Sequence, residues 1–136
     1  MKLLLFYTHE FWMCPFQKSF PDVPDSSEPI ERYGAVLALV HAEPKDADDA
    51  GKVVTKAIKN IKWVAGKFGS KRVVLHYFAH LGKDAASPEL ARELVGSMAA
   101  RLEGAAYEVT ITPFGYFPEF KIHVAGESMG KVFVEV

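Results

Sequence analysis

The five histidines of this chain are the side chains whose ordinary pKa best suits acid–base chemistry near neutral pH. Only His76 and His80 are four residues apart, and they lie in and just after a predicted strand rather than on a helix, so we expect neither a metal nor a cofactor. His80 stands out because it follows a short apolar stretch, residues 72–78, that predicts a strand. Open α/β sheets place ligand crevices at such strand ends, which makes His80 a candidate site residue. The alternative is a histidine with only a structural hydrogen bond.

A second candidate is the segment Thr112–Pro118, with the sequence TPFGYFP. Its two prolines and Gly115 restrict and redirect the backbone, and three aromatic side chains crowd the same place. The segment predicts either a binding loop or a buried aromatic corner. The sequence lacks a phosphate loop, a dinucleotide fingerprint, a metalloprotease helix and a nucleophile elbow, which excludes the common cofactor folds.

Lysines are concentrated in one predicted helix. Residues 45–72 contain eight basic and three acidic side chains. Lys52, Lys56 and Lys59 lie on the surface left free by the apolar stripe of that helix. They predict either a phosphate-contacting patch or an ordinary solvated face.

The elements that must position these residues form one α/β domain over residues 1–136. Period-two and continuous apolar patterns predict about six strands, at residues 2–7, 34–42, 72–78, 107–111, 120–124 and 131–136. Gly126 and Gly130 bracket a turn into the last strand, which predicts a C-terminal β-hairpin. Proline-rich residues 9–29 predict a long loop, either ordered against the body or mobile at the surface.

Two helices separate the predicted strands. The first runs from about Asp46 to Phe68, with aspartates near its start and Gly69 as its stop. The second has Ser87 as its cap, Pro88 in its first turn and Gly104 at its end.

The composition is that of an ordinary globular protein, because 49% hydrophobic and 24% charged residues exclude a disordered or collagen-like chain. A net charge of −1 gives no global attraction to polyanions, so any nucleic-acid surface must be local. The single Cys14 fits a reducing compartment. No apolar run reaches the roughly 20 residues of a membrane span, and we expect a cytoplasmic protein without a membrane partner.

Two short motifs resemble a known family. Phe78-Ala79-His80-Leu81, together with Pro113-Phe114-Gly115-Tyr116-Phe117 and the following Phe120-Lys121-Ile122, is similar to the archaeal N-terminal editing domain of threonyl-tRNA synthetase. The resemblance covers essentially the whole chain and implies a fold like that of D-aminoacyl-tRNA deacylase. It further implies a homodimer that hydrolyses seryl-tRNA(Thr), with the synthetase core present in cis or in trans.

The resemblance also implies the site. Three residues stand at catalytic positions of the family: His80, Phe117 and Pro118. Six stand at substrate-binding positions: Ala42, Phe78, Ala79, Phe114, Gly115 and Tyr116. Independently of the resemblance, the local excess of positive charge suggests that Lys52, Lys56 and Lys59 would bind the tRNA.

The sequence departs from the family pattern at three positions. Phe117 stands where the family usually has tyrosine, Pro118 where it has lysine, and Lys131 where it has an acidic residue. Two hypotheses follow. Either backbone N–H groups and a tRNA 2′-hydroxyl perform the hydrolysis, or the chain is a degenerate module for RNA docking or dimerisation.

Overall fold

A six-stranded mixed sheet with two α-helices forms the fold in the computed structural model, which describes residues 1–136. The strands are β1 (Lys2–Lys18), β2 (Ile30–His41), β3 (Arg72–Tyr77), β4 (Glu108–Ile111), β5 (Tyr116–Val124) and β6 (Lys131–Glu135). The helices are α1 (Ala50–Lys67) and α2 (Pro88–Gly104). The predicted α/β fold with six strands and two helices is confirmed.

The strand order is β4-β3-β2-β1-β5, with β6 also paired to β1. Strands β2, β3 and β4 run parallel because α1 and α2 provide the crossover connections between them. Strand β1 is antiparallel to β2, β5 and β6. Strands β5 and β6 pair with successive parts of β1, at residues 8–18 and 2–6, rather than with each other.

The sheet has a core on each face. One face holds 22 buried residues and packs against both helices. The other holds six, namely Phe11, Met13, Ala35, Leu37, Leu39 and Val74. Phe120 of β5 approaches both Phe11, at 6.1 Å between ring centroids, and His76, at 5.1 Å, so β5 curls over this second face. This explains the continuous apolar run of β2, which is covered on both sides.

Strand β1 is the largest difference from the sequence prediction. It extends to Lys18, whereas the strand was expected to end at Tyr7 and residues 9–29 were expected to form a loop. A register irregularity between Thr8 and Glu10 shifts the alternation, so that Leu4 and Phe11 face the same core. Pro15 is tolerated because it faces Pro118 of β5 at a second irregularity of the ladder.

Three further boundaries are corrected. Strand β2 begins at Ile30, four residues earlier than predicted, and β5 begins at Tyr116, inside the expected loop. Helix α1 begins at Ala50, because residues 44–49 form a 3₁₀ turn in which Asp46 accepts a hydrogen bond from the Glu43 amide at 2.7 Å. The predicted ends hold: Gly69 has a φ of +63° after α1, and Ser87 caps α2.

Candidate active site

A cleft of about 210 Å³ opens between the end of β3 and the start of β5. It brings together eight of the residues predicted from the sequence: Phe78, Ala79, His80, Phe114, Gly115, Tyr116, Phe117 and Pro118. Residues 82–112 separate the two motifs in the chain, and the motifs meet because β3 lies beside β4, from which the second motif follows directly.

The second motif is held by the segment that follows β1. Gly115 has a φ of +84°, a conformation that L side chains rarely adopt, and its carbonyl accepts a hydrogen bond from the Ser19 amide at 2.7 Å. The Tyr116 hydroxyl donates to the Pro24 carbonyl at 2.6 Å and accepts from the Ser26 amide at 2.8 Å. These bonds fix residues 19–26, of which Ser19 and Phe20 line the cleft.

The first motif exposes backbone donors at the end of β3. The Phe78 amide donates to the Val40 carbonyl, and the Leu81 amide donates to Nδ1 of His41. Between them, the amides of Ala79 and His80 donate to no other protein group. Adjacent free N–H groups at a cleft are the groups that can stabilise a developing oxyanion.

His41 fixes the loop that follows these donors. It is fully buried, its Nδ1 accepts from Leu81, and its Nε2 lies 2.7 Å from the Asp84 carbonyl. Since Nδ1 is an acceptor, the proton is on Nε2, which donates to Asp84. This histidine is structural.

Two of the three predicted catalytic residues, His80 and Phe117, are exposed in the cleft. His80 is exposed, and its ring meets that of Phe78 edge to face at 5.0 Å. Phe117 is 55% exposed, and a phenyl ring has no proton to transfer. Pro118 has neither a backbone N–H nor a polar side chain. Of these three predicted catalytic positions, only His80 therefore has a side chain capable of acid–base chemistry.

No aspartate, glutamate, lysine or arginine lines the cleft. Behind this lining, Arg92 of α2 places its guanidinium 4.6 Å from the Phe114 ring centroid. That ring stacks between Phe20 and Tyr77, at 5.9 and 5.3 Å. The site therefore offers aromatic surface, backbone donors and histidine rather than a carboxylate pair.

Two polar residues of the cleft, His76 and Thr112, were given no individual role by the sequence analysis. His76 of β3 is 5% exposed, and its Nδ1 lies 2.7 Å from the Thr112 hydroxyl. Burial lowers the pKa of His76 to about 4, so its ring is neutral at pH 7. The sequence could have indicated His76, because His76 and Phe78 are two residues apart and therefore lie on the same face at the end of β3.

The remaining predicted residues lie elsewhere. Ala42 is fully buried just beyond β2 and does not line the cleft; its carbonyl accepts from the Ala86 amide. Lys131, which the family pattern would make acidic, donates to the Ala125 carbonyl at 2.7 Å. Lys131 begins β6, its ammonium group is occupied by this hydrogen bond, and it is also absent from the cleft.

The predicted tRNA-binding lysines form a separate surface on α1. Lys52, Lys56 and Lys59 are exposed, and none of them has an acidic partner. Their spacing continues on the same side of the helix to Trp63, which is 49% exposed. The result is a basic stripe without ion pairs that ends in an accessible aromatic ring, with Glu135 lining the same depression as Lys56 and Lys59.

The fold and cleft define a small α/β domain with an open cleft at the carboxyl end of a parallel strand, where such sheets commonly bind ligands. No helix in the structure is long and apolar enough to cross a membrane.

The whole chain, residues 1–136, matches the family model described as the Archaea-specific editing domain of threonyl-tRNA synthetase. It therefore belongs to that family, and the predicted resemblance is confirmed.

Curated relatives agree with this assignment. A threonine–tRNA ligase of Thermococcus kodakarensis is 31% identical over 82% of this chain, and one of Hyperthermus butylicus is 27% identical over 97%. A third, from Methanopyrus kandleri, is 27% identical over 97% of the chain. The matched regions are 18%, 22% and 21% of these relatives, so the chain spans about a fifth of their length.

Proposed function

We propose that this domain hydrolyses the ester bond of seryl-tRNA(Thr) and spares threonyl-tRNA(Thr). The observation that supports it most is the meeting of the two family motifs in one cleft, with the free amides of Ala79 and His80 at its edge. Hydrolysis of an aminoacyl ester passes through an oxyanion, which such donors stabilise.

The choice of serine follows from the discrimination problem of a threonine-specific synthetase. Serine lacks one methyl group of threonine, and one methyl group changes binding by only about 1–3 kcal/mol. A second site that admits serine and rejects the larger threonine removes the resulting error. The aromatic walls of the cleft, held by stacking around Phe114, supply the rigid surface that such a size limit needs.

The chemistry rests on the backbone and on the substrate itself. The cleft has no carboxylate and no lysine, and Pro118 and Lys131 supply no acid or base to it. The amides of Ala79 and His80 bind the oxyanion, and the 2′-hydroxyl of the terminal ribose positions the attacking water. The His80 backbone amide binds the oxyanion, and the His80 side chain is not required as a base.

The lysine stripe of α1 binds the tRNA. Lys52, Lys56 and Lys59 have no acidic partners, so each is free to contact a phosphate. The homodimer and the association with a synthetase core, in cis or in trans, complete this proposal and stay predictions.

A second candidate is a noncatalytic module for RNA docking or dimerisation. It is favoured by one observation: the positions where the family has lysine and an acidic residue hold Pro118 and a Lys131 already bonded to Ala125.

One assay separates the two. Seryl, threonyl and D-aminoacyl esters of the same tRNA are incubated with the protein, and their release is compared with release in buffer. Editing predicts serine release well above background and little threonine release. If folded protein binds the tRNA but serine is released only at the buffer rate, the noncatalytic module for RNA docking or dimerisation is the function that remains. Fast release of the D-aminoacyl ester alone would contradict the proposed substrate.

A further inference from the structure

One nitrogen of the cleft has no protein partner. His76 uses Nδ1 for Thr112, and no hydrogen bond to its Nε2 is present. Every fully buried side-chain nitrogen or oxygen in the structure has a hydrogen-bond partner. Because Nε2 of His76 has none, it must be partly accessible to solvent. Because His76 lines the cleft and is only 5% exposed, that access is through the cleft.

We propose that Nε2 of His76 binds a hydroxyl group of the ligand in the cleft, and that Thr112 positions the ring for it. The identity of the ligand as an aminoacyl ester of a ribose rests on the proposed function. Such a ligand has two hydroxyl groups that fit, the side-chain hydroxyl of serine and the 2′-hydroxyl of the ribose.

A hydroxyl is the group that suits both forms of the ring. If the Thr112 hydroxyl donates to Nδ1, the proton of His76 is on Nε2, which then donates into the cleft. If Nδ1 donates to Thr112, whose hydroxyl also lies 3.4 Å from the Leu75 carbonyl, then Nε2 accepts instead. A hydroxyl can accept from the first form and donate to the second.

The surroundings of His76 disfavour a charged ligand group. Its ring neighbours are Phe78, at 6.3 Å, and Phe120, at 5.1 Å, and no aspartate, glutamate, lysine or arginine lines the cleft. An ammonium or carboxylate would be desolvated there without a partner charge, which is costly. A neutral polar group against a neutral imidazole has no such penalty.

The test uses three non-hydrolysable analogues, in which an amide replaces the ester at the 3′ position of adenosine: seryl, alanyl and 2′-deoxy seryl. Nitrogen NMR of the ¹⁵N-labelled histidines follows each titration, and His76→Phe assigns the His76 signals. Saturable movement of the Nε2 signal with the seryl analogue is expected. Its loss with the alanyl analogue identifies the serine hydroxyl, and its loss with the deoxy analogue identifies the ribose.

Two results would overturn the inference. One is an unmoved Nε2 signal while the Ala79 amide shifts with the ligand; the other is no binding of any analogue. Because the readout does not need hydrolysis, a moved Nε2 signal in a protein that cleaves no ester would sink the proposed function alone. Cleavage with an unmoved signal would sink this inference alone.

The role of Thr112 is tested by a matched pair of variants. Thr112→Val removes the hydroxyl at nearly constant shape, whereas Thr112→Ser keeps it. Loss of one neutral hydrogen bond corresponds to about fivefold to tenfold weaker binding of the seryl analogue for Thr112→Val. Thr112→Ser should bind as the unmodified protein does. Equal binding by all three proteins would show that Thr112 does not position the ring.

Discussion

Val23 packs so closely against the backbone of Gly115 that a β-carbon at residue 115 would lie 2.5 Å from Val23 Cγ1. The contact joins the segment after β1 to the motif that forms one wall of the cleft. The positive φ of Gly115 adds a second restriction at the same residue.

Gly115→Ala should therefore destabilise the domain by at least about 2 kcal/mol, from a left-handed non-glycine residue and the clash with Val23. Urea unfolding measures the change. Gly96→Ala is the matched control, because Gly96 lies in α2 with open space around its α-carbon. That control should be neutral or slightly stabilising. Equal stability of the two variants would show that the cleft wall does not need this contact.

The lysine stripe should determine the salt dependence of tRNA binding. Replacing Lys52, Lys56 and Lys59 by alanine should weaken binding and reduce the salt slope by roughly 0.9 for each duplex phosphate that the variant no longer neutralises. Binding is measured between low and moderate salt. The same three positions changed to arginine keep the charge and should keep the slope. An unchanged slope in the alanine variant would mean that α1 is an ordinary solvated face.

The sequence predicted the parts of the site that are local in the chain. Phe78, Ala79 and His80 were found because they end a strand, and Gly115 because two prolines flank its motif. The long β1 was missed because prolines argue against strands, and only the pairing of Pro15 with Pro118 across the sheet shows why one is tolerated. The bond between His76 and Thr112 joins residues 36 apart, which no local pattern contains.

The division of labour between His80 and the tRNA can be measured directly. His80→Ala should reduce seryl-tRNA hydrolysis only modestly, because the oxyanion donors are backbone amides. Removing the terminal 2′-hydroxyl, with serine held on the 3′ oxygen, should nearly abolish it. A general base typically contributes 10²- to 10⁴-fold, so single-turnover rates separate the cases. A loss of that size in folded His80→Ala, with the deoxy substrate still cleaved, would make His80 the base.

The free energy of unfolding should decrease as the pH is lowered through the range in which His76 titrates. Burial lowers its pKa from 6.5 to about 4, so protonation favours the unfolded chain. The stability is lost progressively as the pH falls from about 6.5 to about 4, and the full loss is about 3 kcal/mol. Urea unfolding between pH 7 and 4.5 measures most of this loss. The stabilisation from Glu43, whose pKa is lowered to about 2, is lost mainly below this range. His76→Phe should flatten this dependence, while His80→Ala, at an exposed position, should retain it. A pH dependence that survives in His76→Phe would assign the titration to another group.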